Sequence, residues 1–103
     1  MSNVLYTSVF EPVNLAGSTL FCAYVNRSSA AVTVSTEIVA LNGTIIGTEN
    51  STINPNNGTA VGNEIALAAY CRFTVQNGGT KAGIVASGEL KTAAGERTSL
   101  PAQ

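Results

Sequence analysis

The chain holds two cysteines, and both stand in the same local setting. "FCAYVN" covers Phe21–Asn26 and "YCRFTVQN" covers Tyr70–Asn77. Each cysteine directly follows one aromatic residue and precedes another by two positions. In an extended strand, residues i and i+2 share a face. Leu20, Cys22 and Tyr24 therefore point one way, and Cys71, Phe73 and Val75 do the same on a later strand. If those faces meet across a two-layer body, Cys22 and Cys71 bridge the layers with Tyr24 and Phe73 packed against the bond. Closing a loop of roughly fifty residues stabilises by about 4 kcal/mol in the chain-entropy account.

Two buried free thiols, acting as small hydrophobes, are the competing reading. A zinc site wants four ligands drawn mainly from Cys and His, and the chain contains no His. A CxxC redox motif is also absent. The disulfide is the favoured reading. It implies an oxidising compartment, and so an extracellular, cell-surface or periplasmic location. The opening "MSNVLYTSVF" has no basic region followed by an apolar run and a cleavage site, which fits either a cytosolic protein or a mature form with its leader replaced by a starting Met; the disulfide reading favours the second.

The rest of the chain reads as strands. "AAVTVSTEIVAL" alternates apolar and polar residues and is followed by Asn42-Gly43 and "TIIGT", a strong hairpin signal with an expected type I′ turn. A second such signal is Asn77-Gly78-Gly79, between Phe73–Gln76 and Lys81–Leu90. The polar stretch Asn50–Asn63, with Pro55 inside it, reads as a long connection or a crossover between sheets. Ala93–Arg97 is a further turn. Helix signals are weak, and "GNEIALAAYC" is read as a strand pair with a tight bend. The expected strands, about seven, are Val4–Val13, Thr19–Asn26, Ala31–Leu41, Thr44–Thr48, Thr59–Leu67, Ala69–Gln76 and Lys81–Thr92. Residues 1–103 are therefore expected to form one all-β domain, an antiparallel β-sandwich with one inter-sheet disulfide.

An early-strand cysteine, a late-strand cysteine and Tyr70 beside the latter resemble the immunoglobulin-like arrangement, in which a bridge joins strands B and F. The chain lacks that family's buried tryptophan, having no Trp. More specifically, "AAYCRFTVQNGGTKAGIVAS" is similar to the C-terminal halves of short, uncharacterised exported bacterial β-sandwich proteins. There a "YCRFTV"-like strand leads through a tight turn into a final hairpin. The resemblance implies an exported bacterial sandwich and supplies no activity and no site residues.

Charge is scarce, at 11% of residues with a formal net charge of -1, so no field favours nucleic acid or an acidic membrane surface. No stretch approaches the roughly 20 apolar residues that cross a bilayer as a helix. Without His, the Ser-His-Asp and Cys-His arrangements are excluded. Without Asp, so are Asp-based calcium loops. The glutamates are scattered singly, and the glycines lack the spacing of a phosphate-binding loop. No catalytic, cofactor or metal residue is expected, and the chain is read as non-enzymatic. Asn26, Asn42, Asn50 and Asn57 each begin an N-x-[ST] match, read as exposed turns; a glycan partner is left open by composition and unsupported by motif.

One further pattern bears on partners. Phe21 and Val25 lie on the face of their strand opposite Cys22, and Leu5 and Val9 similarly oppose Tyr6 and Phe10 near the N-terminus. A sandwich buries one face of each strand, so Phe21, Val25, Leu5 and Val9 are candidate interface residues for a homo-oligomer or another protein. Two function classes follow. One is a structural or self-assembling subunit of an extracellular or surface structure. The other is a monomeric binding or adhesion module presenting loops such as Asn50–Asn63.

Overall fold

The computed structural model describes residues 3–11, 17–76 and 79–103. Its elements, in chain order, are strands β1 (Val4–Tyr6), β2 (Thr19–Asn26), β3 (Val32–Ala40), β4 (Ile45–Ile53), β5 (Gly58–Glu64), β6 (Ala69–Val75), β7 (Ile84–Lys91) and β8 (Arg97–Pro101), with a 3₁₀ turn at Lys81–Gly83. They form two four-stranded antiparallel sheets, ordered β1-β6-β3-β4 and β5-β2-β7-β8. The protein is an all-β sandwich with eight strands among the described residues rather than about seven.

The sheets are joined where the cysteines lead one to look. Cys22 on β2 and Cys71 on β6 form a disulfide with Cα atoms 5.7 Å apart, tying together an inner strand of each sheet. Tyr24 and Phe73 meet edge to face with ring centroids 6.3 Å apart, an arrangement aromatic pairs favour. Leu20, Val34, Ile38 and Val75 complete a fully buried centre. On the far side of the sulfurs, Cys22 stands opposite Gly88 of β7. A β-carbon built on Gly88 would come within 2.7 Å of the Phe10 ring and 2.9 Å of Cys71 Sγ. Only a residue without a side chain leaves room there for ring and sulfur together.

The central pairings β2·β5 and β3·β6 match the B·E and C·F pairings of an immunoglobulin domain. The flanks are exchanged. In that fold the first strand lies beside B and the last beside F; here β1 pairs with β6, and β7 pairs with β2. The chain therefore changes sheets between β6 and β7, and the expected Asn77-Gly78-Gly79 hairpin does not form. Gly79 and the 3₁₀ turn carry the chain to the other sheet, where the Arg27 N–H donates to Gly83 O at 2.8 Å. Asn77 and Gly78 lie outside the described residues. Turn residues encode a reversal, not the sheet in which the next strand lands. The bend between β5 and β6 is likewise a change of sheet, not a strand pair.

The Asn42-Gly43 hairpin forms between β3 and β4, although Gly43 (φ 89) is its one positive-φ residue. The Gly43 N–H donates to Ala40 O at 2.9 Å. This is the longer loop built on a type I turn with a left-handed glycine, not type I′. The register slips between Ile38 and Val39, so Ile46 is an extra residue on β4. Several expected boundaries also move, among them the end of β5, at Glu64 rather than Leu67, and the start of β7, at Ile84 rather than Lys81. β1 stops at Tyr6, but Thr7 and Phe10 continue along β6 through backbone bonds to Cys71 and Ala69; Val13 lies outside the described residues. β4 runs on to Ile53, and β5 begins at Gly58. What remains of the Asn50–Asn63 connection is a tight turn at Asn54–Asn57, with Pro55 second and Asn56 third at φ 67. That is the residue choice of a type II turn. Finally, β8 forms where no strand was expected, and beyond it Gln103 exchanges backbone hydrogen bonds with Tyr6. The two termini close one side of the sandwich.

Gly88→Ala is expected to destabilise the protein by about 1–3 kcal/mol, the usual cost of overpacking a filled core. Urea unfolding of the oxidised variant checks this; an unchanged midpoint would mean that Phe10 yields without cost.

Candidate functional site

Of the residues singled out by sequence, Cys22, Cys71, Tyr24 and Phe73 come together in the interior and act structurally. The candidate interface residues separate. Leu5 belongs to the buried core, because β1 turns it toward the other sheet, so it leaves the set. Val9 is 41% exposed and Val25 40% exposed. Phe21 is half-buried, its ring lying across Gly62 on the neighbouring strand, where an added β-carbon would sit 2.6 Å from the ring. Val25 stands in register with Val85, which is 62% exposed, and the two form a small apolar pair on the outer face of the second sheet.

The side of the sandwich opposite the termini is held by polar side chains that sequence patterning did not reveal. There β4 of one sheet faces β5 of the other. The Tyr24 hydroxyl lies 2.8 Å from Ser51 Oγ, Thr59 Oγ1 donates to Glu49 Oε1 at 3.0 Å, and Asn63 Nδ2 donates to Ile46 O at 2.9 Å. Thr36, opposite Glu49 in register, has the one buried side-chain oxygen without a partner among the described residues. Burial pushes the Tyr24 hydroxyl up from its ordinary 10.0, the bond with Ser51 offsets part of this, and the Glu49 charge adds to it. An inward carboxylate and a bulge are devices that discourage an edge strand from pairing with another chain, and β4 carries both. β1 is short and bonded to Gln103, and β8 carries Arg97 and Pro101. The structure thus places guards at these three edges.

One end of the sandwich is organised by Asn26. Expected to be an exposed turn, it is fully buried: its amide donates to Ala30 O and Ile53 O, both at 2.9 Å, and its side-chain oxygen accepts from the Ser28 N–H at 2.9 Å. Backbone bonds dock the Asn54–Asn57 turn onto it. Asn26 thus locks three segments and offers no free amide for modification.

The opposite end, beside the Asn42-Gly43 hairpin, carries three exposed aliphatic side chains: Leu41 at 60%, Leu67 at 49% and Ile45 at 48% exposure. Next to them is an open hollow of about 260 Å³ floored by Ala40, Ile46 and Ala66, with Glu64 and Asn42 among its polar lining. The outer face of the first sheet is different again. Tyr6 and Tyr70 approach with centroids 6.2 Å apart, beside Arg72, whose Nε donates to Glu37 Oε1 at 2.8 Å. That bond to Glu37 holds the guanidinium above its usual range.

Among the described residues there is no cluster of His, Cys, Asp or Glu able to hold a metal ion. No helix there is long and apolar enough to cross a membrane. Comparison with known proteins finds no matching family model, no matching curated protein and no matching solved structure.

A group whose folded pKa is raised contributes stability that is complete below its unfolded value and lost as pH climbs through the folded one. Tyr24 should therefore add nothing to the pH dependence below about pH 9, and stability should fall above pH 10 as the unfolded phenol ionises first. Tyr24→Phe should cost roughly 1 kcal/mol through the lost hydrogen bond and flatten that alkaline slope relative to the parent. Urea midpoints measured across the alkaline range decide; equal slopes would remove Tyr24 as the cause.

Proposed function

We propose that this chain is a non-catalytic, exported β-sandwich module that serves as a self-assembling structural subunit outside the cytoplasm. The observation that carries the reading is the open apolar hollow at one end of the sandwich, lined by Leu67, Ala40, Ile46 and Ala66, with Leu41 and Ile45 exposed at the adjoining hairpin. Singly scattered surface aliphatics need no explanation, whereas contiguous ones mark contact surfaces. The buried disulfide supports an oxidising compartment, since such bonds persist there and are rare elsewhere. Three of the carboxylates are engaged by neighbours, Glu37 with Arg72, Glu89 with Arg97 and Glu49 with Thr59, which favours roles in packing over proton transfer. Static light scattering at high micromolar concentration should give a mass that rises with concentration. A constant monomer mass sinks this reading.

A second reading has its own observation, the Tyr6–Tyr70 pair beside Arg72 and Glu37. An exposed ring, here Tyr6 against the half-buried Tyr70, flanked by fixed polar groups can stack on and hydrogen-bond to a sugar, so a monomeric glycan-binding module is the alternative. The loop expected to present such a site, Asn50–Asn63, is mostly strand; the face of the first sheet takes its place. Titration with neutral oligosaccharides should quench tyrosine fluorescence in the parent and not in Tyr6→Ala. The absence of any saturable signal discards this alternative.

A further inference from the structure

The two ends of the sandwich differ in net charge. At the Asn26 end stand Arg27 and Lys81, both exposed and brought together by the bond from Arg27 N–H to Gly83 O. Neither enters a salt bridge among the described residues, and no carboxylate lies in the segments around them. At the hairpin end the balance reverses. Glu64 and Lys91 both stand opposite Thr19 on neighbouring strands. Glu96 lies in the turn between β7 and β8, Glu11 follows the Phe10–Ala69 bridge, and Glu89 pairs with Arg97. That end is left net negative. Its apolar hollow, with Glu64 among the lining residues, suits a long cationic side chain, which can lay its methylene stem on aliphatic surface while its head meets a carboxylate.

We propose that the hairpin end of one copy receives the Arg27–Lys81 end of a second copy, so that subunits join head to tail. This rests on the self-assembly reading and adds to it a direction. The two surfaces differ, so the contact is heterologous and propagates as a chain unless a rotation closes it into a ring. A two-fold contact through either end alone would set like charges against each other. The molecule's Cα extents are 40 × 25 × 19 Å, so an end presents a cross-section of only 25 × 19 Å. That is well below the roughly 800 Å² per partner of a standard interface. Each joint is therefore weak and sensitive to salt, and assembly belongs to crowded, low-ionic-strength or tethered conditions.

The test is a charge exchange read by sedimentation velocity at high protein concentration, in about 0.01 M and about 0.15 M salt. The parent should sediment faster as concentration rises, without a plateau at dimer, and more so at low salt. Arg27→Glu combined with Lys81→Glu makes both ends acidic; Glu64→Lys combined with Glu96→Lys makes both ends basic. Each variant alone should associate at least roughly tenfold more weakly, because like charges now meet. An equimolar mixture of the two should recover assembly. All four positions are exposed, and unchanged urea midpoints confirm that the variants are folded. A parent that stays monomeric overturns both this proposal and the self-assembly reading. A parent that assembles while the variants do so equally well, or one that stops at dimer, overturns the head-to-tail polarity and leaves self-assembly standing.

Discussion

The bond between Cys22 and Cys71 is the constraint around which the other features are arranged. It joins an inner strand of one sheet to an inner strand of the other, so it fixes the distance between layers at their middle. Tyr24 and Phe73 fill the space on one side of it. On the other, Gly88 leaves the gap that Phe10 and the sulfur share. The chain-entropy gain, about 4 kcal/mol for a loop of this size, is comparable to the whole stability of a marginal domain. A chain with so few aromatics and so little charge gains much from one covalent tie.

The polar residues divide the remaining work. Asn26 closes one end by satisfying the nearby Ala30 carbonyl and Ser28 amide together with the distant Ile53 carbonyl, a network whose buried members must all be paired to be favourable. Tyr24, Ser51, Thr59, Glu49 and Asn63 join the sheets along one side, while the termini close the other. These groups stabilise the scaffold. What the scaffold presents outward is sparse and sorted: apolar side chains with acidic residues at one end, unpaired cations at the other, and a tyrosine pair with an ion pair on one face.

Several strands could be read locally and several could not, for identifiable reasons. β2, β3 and β6 alternate apolar and polar residues because one face of each packs in the core. β4 carries Gly47, Glu49 and Ser51 on its inward face, where it borders the side held by polar bonds, so its hydrophobic period is lost and its length was underestimated. β8 is an edge strand ending in proline with only Leu100 packed on the core; pairing with β7 makes it a strand, not its own composition. Leu5 and Tyr6 take opposite faces as expected, but Leu5 and Phe10 both join the core, because the strand ends at Tyr6 and the alternation does not carry through to Phe10. Asn26 looked like any asparagine in a turn-forming N-x-[ST] triplet and proved to be a buried hub.

The all-β class, the faces that carry the thiols, and the reversal at Asn42-Gly43 were set by the sequence itself, because period-two patterning and turn chemistry act between near neighbours. Tertiary structure decided which sheet each strand entered, the exchange of the flanking strands, the need for glycine at position 88, and the opposite net charge of the two ends. Those properties depend on distances between residues far apart in the chain, and no local pattern encodes such distances.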